Sequence, residues 1–347
     1  MPTFITGGTG YIGKQVARRV ANAGGKVHLL VRKSGNLKGL SHPGIEIFFG
    51  DLRDDATIRK AMTGCQRVYH IGALVKRWHP DASEYDRVNI DGTRSVFQAA
   101  IDLKIDKLVY TSSVMAIGPS GHDPADENHR RRLRFTNDYE RTKYFAEQAF
   151  YEMVAKGLLG VIVSPSLVFG PSVNFPGSIT NRFIKDLIDG RLKGIPGDGE
   201  QLGNGVYIED VVTGHLLAMD KGRLGEKYIL GGENISMNRF IALVQSEFNL
   251  KKNYRKIPLA ILWLAGLVNE WKARRTGSDP EFPKNLARIY ASDWAYSSEK
   301  ARRELGYHPR TLREGLIITY AWLTGKPLPP PPPSEPVGPR YIPITLK

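Results

Sequence analysis

Short apolar runs alternate with longer amphipathic segments over the first half of the chain. The apolar runs are typical of buried strands, and each is followed by a stretch with apolar residues at helical spacing. This alternation predicts an α/β fold in which a parallel sheet is covered by helices on both faces, the doubly wound arrangement. The predicted strands are 2–6, 26–31, 45–49, 67–71, 107–112 and 158–164, and the predicted helices are 11–23, 56–62, 86–103 and 138–155.

After Pro165 helices dominate, at 179–190, 236–248, 259–273 and 312–324. Two short strands, 206–208 and 227–230, are predicted to return to the main sheet. We therefore divide the chain into a main α/β domain, a smaller and mostly helical lobe, and a tail. The domain comprises 1–170 with 205–232 returning to it, the lobe comprises 171–204 and 233–325, and the tail comprises 326–347. The tail contains a proline run, which predicts an extended segment without a catalytic role.

Composition narrows the classes of protein that the chain can represent. Its 347 residues are enough for a large core with a second lobe, and its single cysteine, Cys65, excludes a disulfide framework. A strand predicted at Thr3 leaves no room for a signal peptide, and the longest apolar stretch, 259–268, is shorter than the roughly 20 residues that span a bilayer. We predict a cytoplasmic location. The net charge of +14 permits nucleic acid, an acidic membrane surface or an anionic substrate as partner and does not choose among them.

A glycine-rich turn, TGGTGYIG at 6–13, connects the first predicted strand to the first helix. Gly7, Gly10 and Gly13 stand at every third position, where glycine permits a positive φ or a close approach of two backbones. A turn of this kind exposes the N–H groups of a helix N-terminus, which can bind the pyrophosphate of a dinucleotide. The spacing alone is a weak signal, because a glycine-rich turn can precede any helix.

The second predicted strand ends in LLVRKSGN, with Arg32 and Lys33 where dinucleotide-binding folds select their cofactor. An acidic residue at this point binds the ribose 2′-hydroxyl of NAD, whereas arginine accommodates the 2′-phosphate of NADP. No carboxylate is present here. The sequence therefore favours NADP(H) over NAD(H), although an ordinary basic turn would look the same.

A tyrosine and a lysine four residues apart, Tyr139 and Lys143, lie on one face of a predicted helix. A neighbouring ammonium lowers the pKa of a phenol from about 10, so the pair can exchange protons near neutral pH. The preceding strand ends in YTSSV, and Ser113 there would lie at the carboxyl edge of the sheet, where ligands bind. Ser113 can hold a substrate oxygen while Tyr139 exchanges its proton.

These motifs together resemble the extended short-chain dehydrogenases/reductases, of the NAD-dependent epimerase/dehydratase type, from Pro2 to about Thr324. The matching segments are TGGTGYIG, GDLRD, VYHIGALV, NIDGT, YTSSV, YERTK, PSLVFGP and ELGYHP. The resemblance implies a Rossmann fold and a catalytic triad of Ser113, Tyr139 and Lys143. The positions that it implies for binding the cofactor are Gly7, Thr9, Gly10, Tyr11, Ile12, Gly13, Arg32, Lys33, Asp51, Leu52, Ile71, Gly72, Ala73, Asn89, Ser112, Tyr139, Lys143, Pro165, Ser166, Leu167 and Val168.

Within this family the chain is most similar to dihydroflavonol reductases, 3-beta-hydroxysteroid dehydrogenases and hopanoid-associated epimerase-like proteins. Nucleotide-sugar epimerases usually carry an arginine that holds a diphosphate, and Gly203 stands at the corresponding position here. This departure weakens the case for a nucleotide-sugar substrate. Gly72, where the family usually has alanine, is taken as a neutral variation.

Two segments bear on the substrate. The apolar segment 256–271, which ends in Trp271 and is followed by KARR, is either a core helix or a helix that lies at a membrane interface or lines an apolar pocket. The arginines of HRRRLR at 129–134, between Ser113 and Tyr139, are either a solvated charge run or a site for an anionic group of the substrate. No metal site is predicted, because His70, His79 and His215 lack the spacing of metal ligands.

Three functions therefore compete. The first is an NADP(H)-dependent oxidoreductase that interconverts a ketone and a secondary alcohol on a lipophilic substrate of steroid, flavonoid or keto-acid type. The second is a sugar epimerase or dehydratase in which NAD(P) is recycled in place. The third is a non-enzymatic dinucleotide-binding protein with a basic RNA-binding surface, against which the intact Tyr139–Lys143 pair counts. We predict the first, with a small-molecule substrate, a homodimer, no nucleic acid, and peripheral membrane contact left open.

Overall fold

The computed structural model describes residues 1–76, 78–121, 123–173, 177–278, 280 and 282–327. The strands are β1 (Thr3–Thr6), β2 (Val27–Val31), β3 (Ile45–Phe49), β4 (Arg67–His70), β5 (Lys107–Thr111), β6 (Gly160–Pro165), β7 (Leu167–Phe169), β8 (Ile195–Pro196), β9 (Leu202–Tyr207), β10 (Lys227–Leu230), β11 (Glu233–Ser236) and β12 (Lys256–Ile257). A seven-stranded sheet has the order β10-β6-β5-β4-β1-β2-β3, with every neighbouring pair parallel.

Helices cover both faces of this sheet. They are α1 (Tyr11–Asn22), α2 (Asp55–Met62), α3 (Ser83–Asp86), α4 (Gly92–Asp102), α5 (Val114–Ile117), α6 (Asp138–Val154), α7 (Ile179–Ile188), α8 (Ile208–Lys221), α9 (Met237–Phe248), α10 (Leu259–Thr276), α11 (Asn285–Ile289), α12 (Glu299–Leu305) and α13 (Leu312–Thr324). One π-helical turn, Arg87–Asp91, joins α3 to α4. α1 and α8 contribute to the core on one face, whereas α2, α4 and α6 pack on the other. The predicted doubly wound α/β fold is confirmed.

The burial of the central elements explains why the hydrophobic pattern predicted them. Every residue of β1 and of β6 is buried, as expected for strands covered on both faces. In α1 the buried residues include Val16, Ala17 and Ala21, which share one face of the helix. Sandwiching an apolar sheet between such helical faces removes both from water, which is the main favourable contribution to folding.

One strand does not return to the main sheet as predicted. The strand at 202–207, β9, pairs instead with β7 and β11 in a separate three-stranded sheet, and only 227–230, β10, joins the main sheet beside β6. The buried Asn204 supplies a physical reason, because its side chain donates to the carbonyl of Gly232 and accepts from the Gly232 N–H. These bonds hold β9 against the β10–β11 connection. The division into a domain and a lobe stays a prediction, and tail residues 328–347 lie outside the described residues.

The strand order brings distant segments of the sequence to one edge. β1, β4, β5 and β6 are close neighbours in the sheet, and all run in the same direction. The segments that follow them, which begin at Gly7, Ile71, Ser112 and Ser166, therefore meet at the carboxyl edge. None of the helices in the described part of the chain combines the length and the apolar character needed to cross a bilayer.

Candidate active site

The glycine-rich turn lies in close contact with the end of the neighbouring strand. Gly7 has φ +73°, and a Cβ built there would lie 2.6 Å from the backbone nitrogen of Gly72. A Cβ at Gly13 would lie 2.3 Å from the carbonyl oxygen of Gly7. Both positions therefore require glycine. Gly10 is the N-cap of α1 and no side chain caps this end, so the first N–H groups of the helix can receive an anionic ligand.

A threonine joins this turn to the segment after β4. The hydroxyl oxygen of Thr6 accepts hydrogen bonds from the N–H of Ile71 and of Gly72, at 3.1 and 3.0 Å, and lies 2.7 Å from His70 Nδ1. His70 Nε2 lies 3.0 Å from the Thr93 hydroxyl. Burial lowers the pKa of His70 to about 3, so its ring is neutral at pH 7. Thr6, His70 and Thr93 are not among the predicted site residues, although each lies in a segment that carries the family resemblance, TGGTGYIG, VYHIGALV and NIDGT.

Asn89, in the π-helical turn, connects the segment after β4 to α6. Its side chain accepts from the N–H of Leu74 at 2.7 Å, and donates to the Leu74 carbonyl at 3.1 Å and to the Thr142 hydroxyl at 3.0 Å. It is completely buried. Asn89 thus has a structural role: its side chain holds residues 71–75 against α6, the helix that carries Tyr139 and Lys143. A direct contact of Asn89 with the cofactor stays a prediction.

The end of β2 presents cations beside Asp51. Arg32 and Lys33 are exposed, and neither forms a salt bridge with any residue that the structure describes. The Asp51 carboxylate accepts two hydrogen bonds from the Arg53 guanidinium, at 2.8 and 2.9 Å. These bonds lower the pKa of Asp51, with a smaller contribution from the charge of Arg32. Because Arg53 engages Asp51, the charges of Arg32 and Lys33 at the end of β2 are available to an anionic ligand.

A cavity of about 190 Å³ opens at the N-terminus of α1, and only three of its lining residues, Thr9, Gly10 and Tyr11, are among the predicted cofactor positions. Lys14 is buried in its wall and donates to the carbonyl oxygens of Asn36 and Lys38, at 3.3 and 2.6 Å. Burial, with the nearby charges of Arg18 and Lys38, lowers the pKa of Lys14. The cavity is lined by Thr9, Gly10, Tyr11, Lys14, Gln15, Ser172, Val173 and Gly177. Lys14 has no carboxylate partner among the residues that the structure describes, and such a cation suits an anionic ligand at the helix N-terminus.

Ser113 and Tyr139 are brought together although 25 residues separate them along the chain. Ser113 is the N-cap of α5, where its hydroxyl accepts from the N–H of Met115 at 3.2 Å. Tyr139 lies in the first turn of α6, which Asn137 caps by accepting from the N–H of Glu140. Because α5 packs on α6, the Ser113 hydroxyl comes close enough to the Tyr139 phenol to lower its pKa. Tyr139 is partly exposed, so a substrate oxygen can reach this pair.

Lys143 makes different contacts from those expected. Its ammonium donates to the Thr111 carbonyl at 2.7 Å and to the Tyr110 hydroxyl at 3.2 Å, and it forms no described hydrogen bond with Tyr139. Burial lowers the pKa of Lys143 to about 7, opposed by the charge of Glu147. The pKa of Tyr139 is raised to about 12, because most of its surroundings are protein rather than water, and the nearby Ser113 hydroxyl opposes this shift. The expected lowering of the Tyr139 pKa by Lys143 is therefore wrong for this structure, because burial dominates.

The basic loop at 129–134 divides into one buried arginine and three exposed ones. The Arg131 guanidinium forms a buried ion pair with Glu140 at 3.1 Å, and it also donates to the Met115 carbonyl at 2.5 Å. Arg131 thus ties the loop to α5 and α6, so it is not a solvated charge, whereas a contact of this loop with the substrate stays a prediction. The exposed arginines are Arg130, Arg132 and Arg134.

Several buried serine hydroxyls near the carboxyl edge of the sheet have no described hydrogen-bond partner, and they indicate whether a dinucleotide would fit there. Among the described residues, the hydroxyl oxygens of Ser112, Ser164 and Ser166 are buried and have no hydrogen-bond partner. Ser112 follows β5 and Ser166 follows β6, so the two lie on neighbouring strands at this edge. Unpartnered buried hydroxyls are costly unless a ligand or water completes them. Together with the glycine turn and Lys14, they fit a polar, anionic cofactor that lies across the edge.

Most of the remaining predicted cofactor positions lie at the same edge. Thr9, Tyr11 and Ile12 belong to the glycine turn and α1, and the Tyr11 hydroxyl donates to the Gly170 carbonyl at 2.7 Å. Leu52 lies against the segment after β4, because a Cβ at Gly72 would come 3.0 Å from Leu52 Cδ1. Ala73 continues that segment. Pro165, Leu167 and Val168 form the end of β6 and the start of β7.

Gly203, at the position where nucleotide-sugar epimerases usually carry an arginine, faces an apolar side chain. A Cβ built at Gly203 would lie 3.4 Å from Leu167 Cδ1, and no other atom within 4 Å is recorded. Leu167 itself is partly open to solvent. The described structure therefore offers an apolar surface at this point rather than a cation for a diphosphate.

Comparison with known proteins agrees with this geometry. The family model described as the NAD dependent epimerase/dehydratase family matches residues 3–231. A putative dihydroflavonol 4-reductase of Synechocystis sp. is 32% identical over 92% of this chain and 93% of the relative. Sterol demethylase protein B of Methylococcus capsulatus is also 32% identical, over 93% of this chain and 98% of the relative. The crystal structure of gox2253 is 33% identical, with TM-score 0.79, over 93% of this chain and 98% of that one.

Further relatives are named as reductases and dehydrogenases, and others as dehydratases or epimerases. The match of the family model and the two relatives over nearly the whole chain, together with the glycine turn and the Ser113–Tyr139 pair, agree on one assignment. This chain belongs to the NAD-dependent epimerase/dehydratase family and is an enzyme of the extended short-chain dehydrogenase/reductase type that uses a nicotinamide dinucleotide.

Proposed function

We propose that this enzyme is an NADP(H)-dependent oxidoreductase that interconverts a ketone and a secondary alcohol on a lipophilic substrate. The observation that carries the proposal is the proximity of Ser113, the N-cap of α5, to Tyr139 in the first turn of α6, at the carboxyl edge of the sheet, where Tyr139 is partly open to solvent. Two hydroxyls at one point can bind the same carbonyl oxygen. Such a pair polarises a carbonyl and gives it a proton, which is what reduction of a ketone requires.

The protein residues divide this work. Ser113 donates a hydrogen bond to the substrate oxygen, and Tyr139 transfers its phenolic proton to that oxygen as the alcohol forms. Lys143, one helical turn away, holds a positive charge close to the developing phenolate. When bound, a nicotinamide dinucleotide supplies the hydride that the carbonyl carbon receives.

The protonation states favour the reductive direction. A phenol with a pKa of about 12 is protonated at neutral pH, so Tyr139 is ready to donate its proton to a ketone. Oxidation of an alcohol needs the phenolate instead, which is scarce at pH 7 when the pKa is so high. The reverse reaction should therefore gain more from alkaline conditions than ketone reduction does.

Apolar surroundings support a lipophilic substrate. Val114 and Ile117 of α5 belong to a buried cluster with Trp294 and Tyr296, and Met115 packs against this cluster. Leu167 lies against Gly203, the position at which an arginine would favour a nucleotide sugar. The names of the relatives, a dihydroflavonol reductase and a sterol demethylase protein, agree with flavonoid-like or sterol-like substrates. If such a substrate carries a carboxylate, the exposed Arg130, Arg132 and Arg134 are cations that could bind it.

Preference for NADP(H) rests on the exposed cations at the end of β2. Arg32 and Lys33 are exposed and without salt-bridge partners among the described residues, and the carboxylate near them, Asp51, is engaged by Arg53. A 2′-phosphate would find an arginine here and no competing carboxylate, whereas a 2′-hydroxyl would find no acceptor of the usual kind.

The test is net consumption of NADPH. The purified chain is supplied with NADPH and a panel of sterol ketones, dihydroflavonols and 3-keto acids, and loss of the reduced cofactor is followed by absorbance, with Tyr139→Phe as the inactive control. Oxidation of NADPH in proportion to substrate supports the proposal. Conversion of a nucleotide sugar with no net change in cofactor would show the epimerase or dehydratase function instead and would overturn this one.

A further inference from the structure

One helix of the smaller lobe presents an apolar face to solvent. In α10 the side chains of Ile261, Leu264, Val268 and Trp271 are each more than half exposed, at 57, 56, 54 and 53%. Their spacing of three and four residues places them on one side of the helix. A row of four large apolar residues in water is unfavourable for a soluble surface unless something covers it.

The opposite side of α10 is already used for packing. The buried residues of this helix are Gly266, Glu270 and Ala273. Gly266 lies so close to α11 that a Cβ there would come 2.4 Å from the Lys284 Cα, and Glu270 accepts from the Lys284 N–H at 2.9 Å. The helix is therefore fixed by its small and polar face. The exposed apolar row therefore lies on the side of α10 opposite to the side that packs against the rest of the protein.

Cations surround the end of this apolar row. Lys272, Arg274 and Arg275 of α10 are exposed, and the Arg275 guanidinium stacks on the Trp271 ring at 3.9 Å. The sole carboxylate within α10 is Glu270, which is buried and bound to Lys284. A second copy of the same face would offer these cations no anionic partner. Anionic lipid headgroups above an apolar layer would match both parts of the face, and tryptophan and arginine are common at that depth.

We propose that this face of α10, formed by Ile261, Leu264, Val268 and Trp271 with the cations Lys272, Arg274 and Arg275, docks the enzyme on an anionic membrane surface. The apolar row enters the boundary between headgroups and acyl chains, and the cations bind the phosphates of anionic lipids. The helix lies in the membrane plane and does not span it. The proposal concerns attachment alone and does not depend on which reaction the active site performs.

α10 is connected to the active site through α11. α10 packs on α11, and Ile289 of α11 packs against the cluster that contains Val114, directly after Ser113.

Co-sedimentation with lipid vesicles tests the proposal on the full chain. We expect binding to vesicles of phosphatidylcholine with phosphatidylglycerol, and much weaker binding to phosphatidylcholine alone. Because each basic residue near such a surface contributes about 1 kcal/mol, or about fivefold in affinity, replacing Lys272, Arg274 and Arg275 by glutamine should weaken binding by at least about tenfold. The matched control Lys26→Gln/Lys60→Gln/Lys156→Gln removes three exposed cations elsewhere and should bind nearly as the unmodified chain does.

The apolar row is tested separately. The triple variant Ile261→Ser/Leu264→Ser/Val268→Ser should lose about tenfold or more in vesicle affinity, whereas Leu159→Ser/Leu224→Ser, which removes exposed leucines elsewhere, should not. Anionic vesicles should also shift the tryptophan emission to the blue, and Trp271→Phe should remove most of that shift. Cofactor affinity checks that each variant is folded.

Three results would overturn the proposal. The unmodified chain could stay in the supernatant with anionic vesicles, or the α10 variants could bind vesicles as tightly as their controls. A lipid-free dimer that dissociates in the triple serine variant would show instead that a second copy covers this face.

Discussion

The ammonium of Lys143 lies 3.2 Å from the hydroxyl of Tyr110 and 4.7 Å from the centre of its ring. Tyr110 is completely buried in β5, and its ring stacks on that of His70 at 5.6 Å. The lysine that we propose as catalytic is thus contacted from the strand side by a buried aromatic residue. Tyr110 is therefore a positioning residue.

Replacing Tyr110 by phenylalanine should shift the pH dependence of catalysis. The Tyr110 hydroxyl accepts from the Lys143 ammonium and stabilises its charged form, so the variant should lower the Lys143 pKa below about 7. Activity that needs the ammonium should then decline at a pH lower by about one unit. The measurement is kcat/KM against pH. Tyr228→Phe, which removes another buried tyrosine hydroxyl far from Lys143, should leave the profile unchanged; identical profiles for all three proteins would refute the positioning role.

Replacing Tyr139 by phenylalanine should separate chemistry from cofactor binding. Because general acid–base catalysis contributes about 10²–10⁴-fold, kcat should fall by that order while the affinity for NADPH stays nearly constant. Lys143→Met should impair both kcat and cofactor affinity. Stopped-flow turnover and titration of NADPH fluorescence measure the two effects. Normal turnover by the Tyr139 variant would contradict the assigned mechanism.

Replacing Arg32 by aspartate should reduce or reverse the preference for NADPH. A charge-assisted hydrogen bond to the 2′-phosphate is worth about 1.5–3 kcal/mol, which is roughly ten- to a hundredfold in affinity. Dissociation constants for NADPH and NADH are compared in the unmodified chain, in Arg32→Asp, and in Lys26→Asp as a control for net charge. Equal affinities for both cofactors in the unmodified chain would exclude the preference itself.

Replacing Arg131 by alanine should destabilise the fold, whereas Arg132→Ala should not. Removing Arg131 leaves the buried Glu140 carboxylate without its cation, and loss of one partner of a buried ion pair typically costs about 3–5 kcal/mol. Arg132 is exposed, so its loss should change the free energy of unfolding by less than about 0.5 kcal/mol. Urea unfolding of the two variants gives the comparison. Equal midpoints would show that the Arg131–Glu140 pair does not stabilise the loop.

Buried histidines should make the protein less stable in mild acid. The pKa of His70 is lowered to about 3 and that of His215 to about 4, both mainly by burial, whereas an unfolded histidine titrates near 6.5. Between these values the unfolded chain binds more protons, so stability falls as the pH drops below about 6.5, by up to about 1.4 kcal/mol per pH unit for each histidine. The slope of unfolding free energy from pH 7 to 5 should be smaller in His215→Asn. An unchanged slope would mean that His215 contributes nothing to it.

The order of the main elements and much of the candidate site can be predicted from the amino-acid sequence. Alternating apolar and amphipathic segments predict the doubly wound sheet because burial on both faces requires apolar strands and one apolar face per helix. The glycine spacing was equally readable, since Gly7 and Gly13 occupy places where a Cβ would collide with backbone. The pairing of Tyr139 with Lys143 on one helix face follows from helix geometry alone.

Tertiary structure decided what depends on contacts between distant segments. The sequence of β9 is compatible with either sheet, and bonds from Asn204 to Gly232 place it beside β11. No local sequence pattern shows that Arg131 is buried in an ion pair with Glu140. Nor does one show that Lys14 lines the cavity at the N-terminus of α1. Burial also raises the Tyr139 pKa, where spacing had suggested that it would be lowered. Residue order along the chain specifies local geometry, but charge and protonation depend on which groups the folded chain places around a side chain and on how much water it excludes.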